Sequence, residues 1–584
     1  MSGFKRLMFV TAVLVTAFAG GRATAQDASE IAGTWSGAIA SPMGDITLVV
    51  EITRDADGTL GGTIENADQA PGNLAPISDV TATDGQFAFK VPRVNATYSA
   101  EWDEAARQWR GTLDQGGPQA LNLARGAPAA KPRIEGLDGV WTGTWERNGV
   151  KLRQSLRVAT GERGTNVLYD SPDQMANGIP VGDLVRDGRA VRFSIARGIS
   201  KFAGELSADG TQIIGVWTSP TLPGESFVST FARASDEEVA ARRDPARPQL
   251  PKEPFPYRAE EVAFDNPAFP EVRLAGTLTL PEGEGPFPAA IMITGSGGQD
   301  RDETLMGHKP FAVIADHLTR QGIAVLRFDD RGVGQSTGNY AEATSADLAT
   351  DANAAFAYLL TRPEIRSDAI GMIGHSEGGM IGPIAMRAND KVAYFVSLAG
   401  PGTDLIHLML SQRRLIGAQM GLSAQEIDRA EPVLRSLFET MAAAETPDAG
   451  YEAAMALMTP EAKVAVGMTP EMDGAIVVRQ VSGPWFQYFL KYDPVPNWQA
   501  IRVPLLALNG SLDLQVPAEA NLAAIRSATA GNPDATIVEL PGLNHLFQTA
   551  TTGSVGEYAT IEETFAPAAL DLIGDWIAER FVTP

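Results

Sequence analysis

The chain has 584 residues, 44% of them hydrophobic, and a formal net charge of −24. That length suits three or four domains of ~150 residues each, and the ordinary hydrophobic fraction excludes wholesale disorder. So acidic a balance speaks against nucleic acid or an anionic membrane as partner, and the absence of cysteine excludes disulfides, a thiol nucleophile and thiolate-bound metal.

Residues 1–25 read as a signal peptide. Lys5 and Arg6 precede an apolar run from Leu7 to Ala19, and Ala23-Thr24-Ala25 offers a cleavage site before Gln26. The expectation is export to the periplasm or beyond. The run is shorter than the ~20 apolar residues of a spanning helix and no comparable run recurs, so no membrane span is expected in the mature chain.

The next segment repeats itself, with units at 26–126 and 132–235. Gly33-Thr34-Trp35-Ser36-Gly37 is echoed by Gly139-Val140-Trp141-Thr142-Gly143. Ile77-Ser78-Asp79-Val80 is echoed by Val181-Gly182-Asp183-Leu184, and Trp109-Arg110-Gly111-Thr112 by Ile214-Gly215-Val216-Trp217. All three echoes share an offset of roughly 105 residues, too long for a propeller blade. Short alternating runs such as Ile46–Ile52, Phe87–Val91 and Val191–Ile195, with Asp-Gly turns between them, predict antiparallel β-structure as small barrels or sandwiches. A tryptophan in an opening G-x-W resembles the barrel plug of lipocalin-like proteins.

Residues 236–256, with Pro245, Pro248, Pro251, Pro254 and Pro256, predict a stiff extended linker. From 257 to 584 the pattern changes to alternating strands and helices. The apolar runs Ala289–Ile293, Ile323–Phe328, Ile370–Ile373, Phe395–Ala399, Leu505–Leu508 and Ile537–Leu540 predict a parallel sheet with helices on both faces. Residues 401–493, rich in Leu, Met and Ala, predict a helical insertion that caps the strand ends. Within it Trp485, Phe486, Tyr488 and Phe489 are candidates either for an acyl pocket or for packing the cap.

Gly374-His375-Ser376-Glu377-Gly378 is a G-x-S-x-G frame between an apolar strand-like run and a helix-like run. Such a turn needs small neighbours and lifts the serine hydroxyl above the sheet. Other marks are Leu274-Ala275-Gly276-Thr277-Leu278, the loop Gly295 to Asp302 with its Gln-Asp-Arg-Asp, and Asp330-Arg331-Gly332-Val333-Gly334-Gln335-Ser336. Together these resemble the α/β-hydrolase superfamily, specifically bacterial serine esterases near the prolyl-oligopeptidase-like and dienelactone-hydrolase-like branches. The resemblance covers residues from about Glu261 onward and implies an α/β-hydrolase fold there. It implies nothing about the β repeats, and the expected architecture adds to it the helical cap insertion and the N-terminal all-β tandem repeat read from the residues above.

The superfamily carries its triad in the chain order serine, acid, histidine. Of five histidines, His545 stands in a loop after a strand-like run near the end of the fold and is the candidate base. His308 and His317 precede the serine, His407 sits in the proposed cap, and His375 beside the serine reads as shape rather than chemistry. Asp513, just past a strand-like run, is the candidate acid, with Asp534 a weaker rival. For the oxyanion, the N–H of Glu377 pairs with one from Gly295-Ser296-Gly297-Gly298, Ser296 being favoured over Gly297. That glycine-rich loop lacks the Lys-Ser/Thr ending of a phosphate-binding P-loop. Asp300, Arg301 and Asp302 are expected to hold the loop by ion pairing.

The expected activity is cleavage of a small-molecule carboxylic ester through an acyl-enzyme, with no metal or cofactor. Two alternatives stay open: a serine peptidase acting on short peptides, and β repeats that bind an apolar ligand or a glycan. Natural substrate and oligomeric state are not fixed by the sequence.

Overall fold

The computed structural model describes residues 31–582 apart from 42–43, 84, 95, 116–117, 175, 222–223 and 242–245. The candidate signal peptide, residues 1–25, lies outside the described residues.

In the first repeat, β1 (Gly33–Ile39), β2 (Ile46–Arg54), β3 (Leu60–Asn66), β4 (Leu74–Thr83), β5 (Gln86–Val91), β6 (Ala96–Asp103), β7 (Gln108–Asp114) and β8 (Pro118–Arg125) close into a barrel. β8 returns to pair with β1 at Trp35↔Arg125. Period-two alternation fills the interior, with Val50 and Ile52 from β2 and Phe87, Phe89 and Val91 from β5 all buried.

The second repeat has β9 (Gly139–Arg147), β10 (Val150–Gly161), β11 (Gly164–Ser171), β12 (Ala176–Pro180), β13 (Gly182–Asp187), β14 (Ala190–Ile195), β15 (Ser200–Leu206), β16 (Gln212–Thr218) and β17 (Ser226–Arg233). These form one sheet in the order β12-β11-β10-β9-β17-β16-β15-β14-β13. Its two ends are consecutive in the chain, broken at Val181, where the first repeat runs on as the single strand β4.

The repetition extends to detail. Trp35 and Trp141 are both fully buried, and each indole N–H donates to a carbonyl four residues upstream, Ile31 or Leu137, at 2.7 Å. Asp79 and Asp183 each adopt φ 52°, and pairing shifts register at both places. An irregularity kept in both copies at one offset is a built bulge that turns the strand.

Helix α1 (Asp236–Ala241) opens the proline-rich segment, so this linker is not extended throughout. Its later part is strapped to the C-terminal α/β body: the Arg247 guanidinium donates to the carbonyls of Met306, Ala559 and Ile561 at 2.9–3.0 Å. The Gln249 side chain bonds the backbone of Thr564 and Phe565.

The third sheet comprises β18 (Arg258–Asn266), β19 (Phe269–Leu280), β20 (Phe287–Ile293), β21 (Ala324–Phe328), β22 (Ile365–His375), β23 (Phe395–Leu398), β24 (Leu505–Gly510) and β25 (Ala535–Leu540). Its order is β18-β19-β21-β20-β22-β23-β24-β25, antiparallel at β18 and β19 and parallel from there on. Central strands are buried on both faces and so read as unbroken apolar runs. Helices α2 (Pro310–Arg320), α3 (Ser345–Leu359) and α4 (Gly378–Ala388) follow the first parallel strands.

Between β23 and β24 lie α5 (Leu405–Gln419), α6 (Ala424–Ala443), α7 (Pro447–Leu457), α8 (Pro460–Ala465), α9 (Ala475–Val478), α10 (Pro484–Lys491) and α11 (Val495–Ala500). The chain ends with α12 (Ala518–Ala528), α13 (Val555–Tyr558) and α14 (Pro567–Phe581). α3, α4 and α12 cover one face of the sheet, and α2 and α14 the other. The cap has its own core around Leu437, Phe438, Met441, Val478 and Phe486. At the end of β9, Arg147 pairs with Glu426 at the start of α6, and the Asn148 amide donates to the Gly421 carbonyl at 2.8 Å.

Candidate active site

β22 delivers the chain to His375, and α4 begins at Gly378. Ser376 lies between them at φ 52°, a left-handed conformation that costs a non-glycine residue strain. The turn is held by the Ser376 N–H donating to the Leu398 carbonyl at 2.8 Å and the Gly379 N–H donating to the Ser376 carbonyl at 2.9 Å. The flanking glycines are needed for space. A Cβ on Gly374 would lie 2.1 Å from the Gly378 carbonyl oxygen, and one on Gly378 would lie 2.2 Å from that of Ile293. No side chain fits at either position.

Two loops beyond the strand ends bring the candidate acid and the candidate base together. Asp513 follows β24, and its Oδ1 accepts the backbone N–H groups of Gln515 and Val516, each at 2.8 Å. Its Oδ2 stands 2.8 Å from Nδ1 of His545. An ionised carboxylate only accepts, so Nδ1 is the donor and Nε2 is left as a proton acceptor. The His545 loop is shaped by Asn544, whose Oδ1 accepts from Leu546 and Gln548. The loops touch backbone to backbone: a Cβ on Gly510 would lie 2.2 Å from the Leu543 carbonyl oxygen. Asp534 lies at the opposite end of the sheet, just before β25, and pairs with Arg580 at 2.9 Å.

His375 is a strut. Its Nε2 bonds the His545 carbonyl at 3.0 Å and its Nδ1 meets Glu303 Oε1, also at 3.0 Å. Burial opposes its charge, but the Glu303 carboxylate and the His545 carbonyl outweigh that and hold its pKa above the usual histidine value. The same Glu303 oxygen accepts the Gly295 N–H at 2.7 Å, so one carboxylate ties the Gly295–Gly298 loop to His375 and through it to the His545 loop.

Of the two loop amides considered for the oxyanion, the Gly297 N–H donates to the Tyr340 hydroxyl at 3.0 Å, which takes it out of the candidate pair. Ser296 remains, and it lines the same cavity as Ser376, His545 and Glu377. The loop is braced by Arg301, which pairs with Asp329 at 2.9 Å and also with Glu261. Asp302 pairs with Lys309 and Arg327. Asp300 works differently from the expectation, accepting the backbone N–H groups of Asp302 and Thr304 at 3.0 Å rather than an ion pair.

Glu377 is 2% exposed, and burial pushes its carboxyl pKa above the usual value. Its Oε1 accepts the Ser345 hydroxyl at 2.6 Å and the Trp485 indole N–H at 2.7 Å. Trp485 belongs to α10, so a cap helix is fastened to the residue that follows the serine. The aromatic cluster divides. Trp485 and Phe489 stack at 5.2 Å and line the cavity, whereas Phe486 turns into the cap core beside Phe438.

Glu303, Tyr340 and Ser345 were not legible as site residues, since an isolated Glu or Tyr in a loop, or a Ser at the start of a helix, carries no spacing signal. His308 is buried among Thr564, Tyr558 and Gln548, and His317 lies on α2 beside Asp571 at 3.7 Å. His407 is exposed near the start of α5. Among the described residues, no group of three or more His, Asp or Glu is placed to hold a metal ion, and no helix is long and apolar enough to cross a membrane.

The family described as serine aminopeptidase, S33, matches residues 308–549. The esterase EstD of Thermotoga maritima is 33% identical over 165 residues, which are 28% of this chain and 39% of that protein. Acyl-coenzyme A thioesterase 1 of mouse is 32% identical over 117 residues, 19% of this chain and 23% of that protein. The chain therefore spans well under half the length of either relative. Among solved structures, an esterase of Pyrococcus furiosus aligns with 56% of this chain and 94% of its own at 16% identity and a TM-score of 0.34. Est1E of Butyrivibrio proteoclasticus, solved with ferulic acid, aligns with 55% and 96% at 16% identity and a TM-score of 0.33. The C-terminal part of this chain, from β18 onward, has the α/β-hydrolase fold.

Proposed function

We propose that this protein is an exported serine hydrolase of carboxylic esters in which Ser376 is the nucleophile, His545 the base and Asp513 the acid. The observation that carries this reading is the cavity of about 240 Å³ that Ser376 and His545 both line, with His545 bonded on its far nitrogen to Asp513. Ser376 Oγ attacks the ester carbonyl as His545 Nε2 takes its proton, forming the Oγ–C bond. The C–O bond to the alcohol then breaks, and the alcohol leaves with the proton from His545. Water, activated by the same nitrogen, attacks the acyl-enzyme and releases the acid. The N–H groups of Glu377 and Ser296 stabilise the oxyanion in both halves, where each such donor is worth ~10²–10³ in rate. Support for export comes from the charged, apolar and Ala-x-Ala pattern of residues 1–25.

The test is Ser376→Ala assayed on short-chain p-nitrophenyl esters. Hydrolysis should vanish while circular dichroism stays native, and a mutant of full activity would overturn the assignment. The match to the serine aminopeptidase family favours a second reading, hydrolysis of short peptides. Comparing an aminoacyl anilide with an acyl ester separates the two, a higher kcat/KM on the anilide favouring the peptidase.

A further inference from the structure

A second cavity, of about 500 Å³, opens within the cap. It adjoins the catalytic one, because Met409, Gln412 and Gln515 are walls of both. Gln412 comes from α5 and Gln515 from the Asp513 loop, and the Gln412 amide N–H donates to the Gln515 side-chain oxygen at 3.4 Å across the junction. Beyond this uncharged junction the walls are apolar, formed by Ile416, Met420, Leu422, Ile427, Leu434 and Val477. Charge is confined to Arg413, Arg414 and Glu431, of which Arg414 is ion-paired with Glu431 at 2.6 Å and with Asp428 at 2.8 Å. Cavities of ~300–1,000 Å³ with such walls take apolar ligands of the size of a small organic molecule.

We infer that this chamber receives the long apolar chain of an ester whose carbonyl stands at Ser376. The inference rests on the ester-hydrolase reading and adds to it the class of substrate. The catalytic cavity alone, at about 240 Å³, has room for the reacting group and a short substituent. A longer chain must leave it, and the junction at Met409 leads into an apolar space. A chain lying there packs against apolar side chains, and the polar groups beyond the two junction glutamines are Gln480 and the charged Arg413, Arg414 and Glu431. The chain can belong to the acid or to the alcohol, since the ester linkage is apolar-substituted in either case.

The experiment measures kcat/KM for two series, p-nitrophenyl acetate to octanoate and ethyl acetate to octyl acetate. Each methylene that enters the chamber should raise kcat/KM about fourfold, so one series should climb ~100-fold or more once four are buried. A climb in the first series assigns the chamber to the acyl chain, and a climb in the second to the alcohol. Ile416→Trp on α5 and Val477→Trp on α9, which each add bulk to a wall of the chamber, should each cut the octyl-to-short-chain ratio at least tenfold. The ratio is its own control for folding, because it requires turnover of the short ester. Flat series, or ratios that the two tryptophans leave unchanged, overturn the inference while leaving the esterase reading intact. If no ester is turned over, the esterase reading falls, and calorimetric binding of octyl acetate to the full chain decides the chamber. Binding abolished by Ile416→Trp supports it, and no binding overturns it.

Discussion

Replacing Asp513 by Asn tests the arrangement of the base through a single proton. In the wild type Oδ1 accepts two backbone N–H groups at 2.8 Å, from Gln515 and Val516, and Oδ2 accepts from His545 at 2.8 Å. An asparagine has one oxygen and one NH₂ group. Placing the NH₂ at the Oδ1 position would set donors against two backbone donors, so the oxygen must stay there and the NH₂ must face His545. Nδ1 is then forced to accept, the ring proton moves to Nε2, and His545 can no longer take the proton of Ser376. The wrong tautomer in a triad of this kind costs about 10⁴ in kcat, or roughly 5 kcal/mol of barrier. Because the two backbone bonds survive, the fold should hold. The assay is kcat and KM on p-nitrophenyl acetate beside a urea unfolding curve. A loss in kcat of less than tenfold, or an equal loss in Asp534→Asn, would refute the reasoning.

Other substitutions probe the supports. Trp485→Phe keeps a ring against Phe489 but removes the donor at 2.7 Å from Glu377, and should cost ~1–3 kcal/mol by urea unfolding, with kcat reduced several-fold. The pKa of His375 is raised in the fold, so its pairing with Glu303 stabilises fully below the unfolded value of about 6.5 and is lost as pH rises through the folded value. The urea midpoint of the wild type should therefore fall from pH 6 to pH 9 more steeply than that of His375→Gln, and parallel curves would contradict this. Arg147→Met removes the pairing with Glu426, and the first turn of α6 should exchange its amide hydrogens faster, by ~1.5–3 kcal/mol of local stability. Val228→Ser, at a residue 69% exposed in the same repeat, should leave that exchange unchanged.

Much of the fold was legible because its signals are local. Gly374 and Gly378 stand where any side chain would strike a carbonyl, so the steric demand of the turn is written in two letters. The parallel strands are buried on both faces and so read as apolar runs. β18 and β19 were not read as strands, since their partly exposed antiparallel edge carries charge, as at Glu260, Glu261 and Arg273. The tryptophans at 35 and 141 announced the repeat, but not that its second copy breaks at Val181, a matter of one backbone kink. The Asp513–His545 pair followed from chain order and loop position. Glu303 and Tyr340 did not, because they act on backbone amides brought near them only by the closed fold. The sequence favoured Ser296 over Gly297 only narrowly, and what separates them is the Tyr340 hydroxyl, which accepts the Gly297 N–H. The chamber in the cap depends on how α5, α6 and α9 pack, which helical periodicity leaves open.

The central claim is that Ser376 is a nucleophile activated by His545. It is tested most directly by treating the native protein with a fluorophosphonate and mapping the modified peptide by mass spectrometry. One label per chain on the peptide that carries Ser376, absent from Ser376→Ala and strongly slowed in His545→Ala, is the predicted result. Labelling at another serine, or a Ser376 that stays unmodified in the folded protein, would contradict it.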